Sequence, residues 1–175
     1  MKIGVISDTH DRLDSIIKAL EIFRKEKVEF IIHCGDWVSP FTLEFYDAQN
    51  SNPSIPTKSV FGNNEGDIKR IIERNAKLKN PIEFASKITL ELNIDNRKIA
   101  VFHGHDKVIL DALVKSQKYD AVFTGHTHIP YNEYVNKTLV LNPGSTSYTS
   151  QSRIVKQASI AIYSSQANTA QILYI

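Results

Sequence analysis

The chain repeats one device: a short apolar, β-forming run that stops at a polar cluster. Residues 2–6 lead into Ser7-Asp8-Thr9-His10, residues 30–34 into Gly35-Asp36, and residues 57–61 into Gly62-Asn63. Farther along, residues 98–102 end at His103-Gly104-His105, and residues 121–124 end at Gly125-His126-Thr127-His128. Strands hold their ends rigidly, and the carboxyl edge of an α/β sheet is where such folds build sites. One histidine alone would read as a surface residue or a satisfied core residue. Five of the six histidines, placed in three clusters after apolar runs, read as gathered metal ligands. The sixth, His33, lies inside an apolar run and reads as a packed core histidine.

Helical spacing separates the first runs. Leu13, Ile16, Ile17, Leu20 and Phe23 share a face, Ser39-Pro40 supplies an N-cap followed by proline at the first helical position, and Ile68, Ile71 and Ile72 mark a helix after the third run. This predicts parallel β-α-β units. Residues 50–56 are polar with two prolines and read as a surface loop. From Thr89 the pattern changes: residues 89–94 and 98–102 flank a polar turn at Asp95-Asn96 and predict an antiparallel hairpin. A helix through Val108, Leu110, Leu113 and Val114 follows, and residues 159–163 and 169–174 predict a closing hairpin. Asn136-Lys137-Thr138 reads as a hairpin turn rather than a glycosylation site. The mixture of parallel units and hairpins predicts an α/β chain with two sheets packed face to face and helices outside.

Composition narrows the function classes. With 175 residues, 42% of them hydrophobic and 23% charged, the chain is an ordinary globule expected to form one domain over residues 1–175. A net charge of +2 supplies no broad basic field, so no dedicated nucleic-acid binding is expected. The lone cysteine, Cys34, forms no internal bridge and reads as a small buried side chain. The apolar stretch before Ser7 is too short for a signal peptide and no run is long enough to span a bilayer, so a cytoplasmic protein without a membrane partner is expected. The residues do not set the oligomeric state, and a homo-oligomer remains compatible with them.

Carboxylate, amide oxygen and imidazole suit manganese, iron, zinc, nickel or cobalt, and one cysteine excludes a thiolate-rich site. Asp8, His10, Asp36, Asn63, His103, His126 and His128 are too many for one tetrahedral zinc. With one carboxylate bridging, they divide between two ions about 3.5 to 4 Å apart, as in two-metal hydrolases. Phosphoryl hydrolysis is the chemistry that most needs such a pair.

In order along the chain, Asp8-x-His10, Gly35-Asp36, Gly62-Asn63, His103-Gly104-His105, Gly125-His126-x-His128 and Asn142-Pro143-Gly144-Ser145 resemble the motifs of the calcineurin-like metallophosphoesterases. The resemblance runs from Ile3 to Ser145 and is strongest to the small bacterial and archaeal phosphodiesterases. It implies a four-layer α-β-β-α sandwich and two divalent ions, manganese first, with nickel, iron, cobalt or zinc also compatible. By the same resemblance Asp8, His10 and His128 hold one ion, Asn63, His103 and His126 the other, and Asp36 bridges them. A hydroxide shared by the ions would attack the phosphorus of a small phosphodiester.

Other residues carry secondary expectations. His105 is a candidate to bind a substrate oxygen or donate a proton, weighed evenly against an exposed histidine with neither role. Asn64 stands where many members of the superfamily carry a histidine near the leaving oxygen, and an amide is no general acid. Gly35, Gly62, Gly104 and Gly125 are expected to permit open backbone conformations beside the ligands. Gly144 would let the backbone approach the site and Ser145 would orient a ligating histidine, with a plain turn as the competing reading. The alternative to an enzyme is an interaction scaffold of the same fold, as in the eukaryotic retromer subunit. In that lineage the ligand set is eroded, whereas all seven positions are filled here.

Overall fold

A computed structural model describes residues 1–147 and 157–175, so residues 148–156 of the expected 1–175 domain lie outside the described residues. Strand β1 (Lys2–Ile6) begins a run of strands and helices: α1 (Leu13–Lys25), β2 (Phe30–His33), α2 (Pro40–Gln49), β3 (Thr57–Ser59), α3 (Ile68–Asn75) and β4 (Glu83–Phe84). Then come β5 (Thr89–Ile94), β6 (Arg97–Phe102), α4 (Lys107–Lys115), β7 (Ala121–Phe123), β8 (Tyr131–Val135), β9 (Thr138–Asn142), β10 (Ser159–Ser164) and β11 (Thr169–Tyr174).

One sheet has the order β11-β10-β1-β2-β3-β4, and its β1 to β4 are parallel. The other has the order β5-β6-β7-β9-β8, with parallel β6, β7 and β9 between antiparallel edges. Side chains alternate across each strand, so one strand supplies two cores. Ile3 and Val5 of β1 join Ile32, Val101, Phe123 and Leu141 between the sheets, whereas Ile6 joins Phe23, Ile31, Leu43 and Ile71 beneath α1, α2 and α3. Ala100, Val122 and Val140 turn the other way in the second sheet and are covered by Val114, Leu110 and Leu113 of α4. The layers are therefore α-β-β-α, as the resemblance implies. Cys34 is buried in the core between the sheets, where desolvation pushes its thiol pKa up and leaves it unreactive.

The predicted hairpins form. Asp95 and Asn96 both take positive φ, at 51° and 62°, and join β5 to β6 in a two-residue turn. Asn136 and Lys137 join β8 to β9, so the sequon is a hairpin turn. Two strands carry no readable signal: β4 has two residues, and β8 is an edge strand whose Tyr131, Glu133 and Tyr134 are exposed. Capping of α2 also differs from the simple reading. Ser39 is the N-cap residue, but its hydroxyl donates to Asp11 Oδ2 at 2.5 Å, and Asp11 Oδ1 accepts the Ser39 N–H at 3.0 Å and the Thr42 hydroxyl. A carboxylate from the β1–α1 loop thus replaces the cap and ties two loops beside the sheet edge. No helix among the described residues is long and apolar enough to cross a membrane.

Candidate metal centre

The carboxyl ends of β1, β2 and β3 in one sheet and of β6, β7 and β9 in the other open along a shared edge. Asp8 follows β1, Asp36 follows β2, Asn63 follows β3, His103 follows β6, and His126 and His128 follow β7. Residues far apart in the chain therefore meet. Asp8, His10 and His128 offer ligand atoms within 4.8 Å of one another, as do Asp8, Asp36 and His103. His128 Nε2 lies 3.2 Å from Asp8 Oδ1 and 3.2 Å from His10 Nε2. On the other side, Asn63 Oδ1 lies 3.0 Å from His103 Nε2 and 2.9 Å from His126 Nδ1. Asp36 stands between, its Oδ2 3.4 Å from His10 Nε2 and its Oδ1 3.3 Å from His103 Nε2.

Each acidic or imidazole group is aimed by a second contact. Ser7 Oγ and the His126 N–H donate to Asp8 Oδ2, at 2.6 and 3.0 Å, which turns Oδ1 toward the histidines. His103 Nδ1 donates to the Cys34 carbonyl at 2.8 Å, so the proton sits there and Nε2 keeps its lone pair for the centre. Asp36 is gripped by Asn64, whose N–H donates to Oδ1 at 2.8 Å and whose side-chain amide donates to Oδ2 at 2.9 Å. Burial alone would raise the carboxylate pKa values. For Asp8 that push is overcome by His10, His128 and His103, which hold it well below the usual range. For Asp36 the same push is overcome by His103 and Asn64, which bring it to about 2. His103 is the converse: burial opposes its charge, yet Asp36 and Asp8 raise its pKa. The donors present, two ionised carboxylates, an amide oxygen and four imidazoles, fit divalent ions of borderline-to-hard character.

The loops that present these groups are strained. Five of the seven candidates take positive φ: Asp8 at 53°, His10 at 41°, Asp36 at 65°, His126 at 68° and His128 at 60°. Non-glycine residues rarely rest there, and clusters of them mark sites that the surrounding structure holds in place. Gly35 and Gly104 have the positive φ expected beside ligands, but Gly62 and Gly125 serve another need. A Cβ on Gly62 would collide with the Asp36 carboxylate, and one on Gly125 with Ser7 Oγ, 2.6 Å from Asp8 Oδ2.

Glu65, which the sequence reading passed over, holds the β2 and β3 loops together. Its Oε1 accepts the Asp36 and Gly62 N–H groups at 2.9 and 3.0 Å, and its Oε2 accepts those of Trp37 and Val38 at 3.0 and 3.1 Å. Val38 has a φ of 77°, a severe conformation for a β-branched residue, and this clamp holds it. The available signal was a carboxylate directly after Asn63-Asn64, inside the loop that must approach Asp36.

His105 is exposed, with its ring centroid 5.6 Å from that of His103 and 6.4 Å from that of His126. Asn64 is exposed, with its side-chain amide donating to Asp36 Oδ2. Ser145 orients no histidine: its hydroxyl donates to the Asp8 carbonyl at 2.8 Å. Gly144 has a φ of 83°, and a Cβ there would strike Ser159 Oγ and Pro130. His33 is a core histidine with a task. Its Nδ1 accepts the Gly35 N–H at 3.0 Å, so Nε2 carries the proton toward Thr9 Oγ1 at 3.2 Å, and Thr9 donates to the Asp36 carbonyl at 3.2 Å. Its ring stacks on Trp37 at 3.7 Å between centroids.

The family model of the calcineurin-like phosphoesterase superfamily domain matches residues 1–167. The chain is 41% identical to phosphodiesterase MJ0936 of Methanocaldococcus jannaschii over 144 residues, which is 82% of this chain and 83% of that protein. A solved structure of an archaeal phosphodiesterase is similar at a TM-score of 0.87 and 33% identity, with all of both chains covered. Vacuolar protein sorting 29 of Cryptosporidium parvum shares the fold, at a TM-score of 0.66 and 17% identity over 99% of this chain and 96% of that one.

Glu65→Ala leaves four backbone N–H groups without their acceptor, and unfolding in urea should show a loss of at least about 3 kcal/mol, with Glu65→Gln intermediate. A loss under about 1 kcal/mol would mean that water replaces the clamp. A second expectation concerns pH. Burial takes the His33 pKa from 6.5 to about 3, so between those values the unfolded chain binds a proton that the folded chain refuses. Stability of the metal-free protein should therefore fall as pH drops below 6.5 and through this window, with a contribution of up to about 1.4 kcal/mol per pH unit from this group. His33→Gln should flatten the slope, and equal slopes in the two proteins would refute a buried neutral His33.

Proposed function

The chain belongs to the calcineurin-like phosphoesterase superfamily and is a phosphoric ester hydrolase; from that premise we propose that it cleaves a small phosphodiester at a centre for two divalent ions. The observation that carries this reading is the placement of Asp36, whose two oxygens face His10 on one side and His103 on the other. One carboxylate spanning two imidazole groups supports a shared ligand. Asp8, His10 and His128 would hold one ion and Asn63, His103 and His126 the other, within one domain over residues 1–175. The 41% identity to a named phosphodiesterase supports a diester as the substrate. Manganese is the first ion to test, and the donor set also admits nickel, iron, cobalt or zinc.

When bound, the ions supply Lewis acidity, which lowers the pKa of the attacking water and neutralises charge on the phosphate oxygens. The chain's own residues fix the rest. Ser7 and the His126 N–H hold Asp8 Oδ2 so that Oδ1 faces inward, and Cys34 sets the His103 tautomer. Asn64 has no proton to give at neutral pH and its amide is engaged by Asp36. His105 is the exposed acid–base group at the rim, and we assign it the transfer of a proton to the leaving oxygen.

Protein reconstituted with excess manganese should contain two ions per chain by elemental analysis, with Asp36→Ala losing both and Asn63→Ala retaining one. A wild-type content near zero would favour a scaffold of the same fold. Hydrolysis should need a divalent ion and stop with chelator. In His105→Ala the rate on an alkyl diester should fall about a hundredfold, and on a nitrophenyl diester much less, because a good leaving oxygen needs no proton. Equal losses on the two substrates would take the proton transfer away from His105.

A further inference from the structure

Beside the centre opens a cleft of about 380 Å³ lined by Phe61, Gly62, Ile72, Lys87, Ile88 and His105, among others. It reaches the proposed reaction site through His105, which lines it and whose ring centroid lies 5.6 Å from that of His103 and 6.4 Å from that of His126. Phe61, Ile72 and Ile88 make part of its wall apolar, beside the polar Ser86, Lys87 and His105. Ile72 is 52% exposed and Ile88 51% exposed. A single exposed isoleucine means little, but two that converge on one opening beside a reactive centre do. Phe61 is held against Phe84 by ring stacking, with centroids 4.6 Å apart and planes at 8°, so its wall of the cleft is rigid. The neighbouring Ile71 packs into the core beneath α3, which leaves Ile72 facing outward. Lys87 is exposed and makes no hydrogen bond or ion pair among the described residues. Its ammonium is therefore free of competing protein contacts and can meet an anion at the rim, and the cleft is of the size, about 300 Å³ and upward, that takes a small organic group.

We propose that this cleft is the subsite for the organic group of the substrate, and that it takes a flat ring carrying an anionic substituent, the ring between Ile72 and Ile88 and the anion at Lys87. This rests on the phosphodiesterase reading for the position of the phosphorus. It narrows the substrate class from any small diester to one whose ester group is an aromatic ring with a second negative charge. The sequence gives no hint of this subsite, since Ile72, Lys87 and His105 belong to three separate segments.

Phosphonates test the subsite without a scissile bond. Methylphosphonate, phenylphosphonate and 4-carboxyphenylphosphonate are titrated calorimetrically into the manganese-reconstituted protein, and hydrolysis of bis(4-nitrophenyl) phosphate is measured on the same preparation. Phenylphosphonate should bind about tenfold tighter than methylphosphonate, as burial of a ring on apolar walls requires. The carboxylate should add about threefold, the modest gain of a partly exposed ion pair. Ile72→Ser and Ile88→Ser should each shrink the phenyl-to-methyl ratio, and Lys87→Ala should remove the carboxylate gain while keeping the phenyl gain. Both isoleucines and the lysine are exposed, so these variants should fold. Equal binding of the methyl and phenyl compounds, or ratios that none of the variants changes, would overturn the subsite. If the ratios behave as stated and no diester is hydrolysed, the subsite stands and the phosphodiesterase reading falls.

Discussion

Two carboxylates, Asp8 and Asp36, are buried at the edge where the sheets open, and meeting their charge organises everything around them. A lone ionised group there would cost several kcal/mol, and removing one partner of a buried pair is correspondingly severe. Three histidines close to within 3.2–3.4 Å of these carboxylates, while Ser7, Asn64 and the His126 N–H satisfy the remaining oxygens. This neutralisation requires groups from both sheets. The sandwich is therefore the means of bringing five strand ends to one charged point, and the core between the sheets fixes their separation.

The loops bear the cost of that convergence. Chain leaving a strand must reverse within a few residues and still point a ligand back at the edge, which places Asp8, Asp36, His126 and His128 in the left-handed region. Such conformations persist only where neighbours over-determine them. Glu65 supplies that for the β2 loop through three N–H contacts and ties it to Gly62 of the β3 loop by a fourth, Asp11 ties the β1 loop to α2, and His33 joins Gly35 to Thr9 and thereby to the Asp36 carbonyl. Two of the buried histidines, His33 and His103, play opposite electrical parts. Burial keeps His33 uncharged, its ring nitrogens meeting a hydroxyl and an N–H, whereas His103 faces two carboxylates whose pull outweighs its burial and draws it toward charge.

The parallel strands, the hairpins and the seven clustered ligand candidates were legible because each is written locally, as an apolar run, a turn pair or a polar cluster at a strand end. What escaped the sequence is non-local. Glu65 reads as one more surface acid until the β2 loop is seen against it, and the Ser39 cap is taken over by Asp11 from another loop. Ser145, for which a histidine partner and a plain turn compete in the sequence, donates its hydroxyl to the Asp8 carbonyl, a contact between segments 137 residues apart that no local pattern announces. The short β4 and the exposed edge strand β8 carry no apolar period, so pairing alone defines them. Lys87 lies outside every motif, and the β4–β5 connection that carries it lines the same cleft as His105.

These features bear on whether the site works or is a relic. A protein that used this fold only as a surface would gain by replacing two buried carboxylates and relaxing its left-handed loops, since both oppose stability and neither helps the packing of the sheets. Here the opposite is found: the carboxylates are held below the usual pKa range, the β1, β2 and β3 loops are braced by Asp11, His33 and Glu65, and glycine stands at 62 and 125, where a Cβ would strike Asp36 or Ser7. Retained strain with retained bracing is the physical signature of a site under functional demand, and it favours catalysis over a scaffold independently of any family likeness.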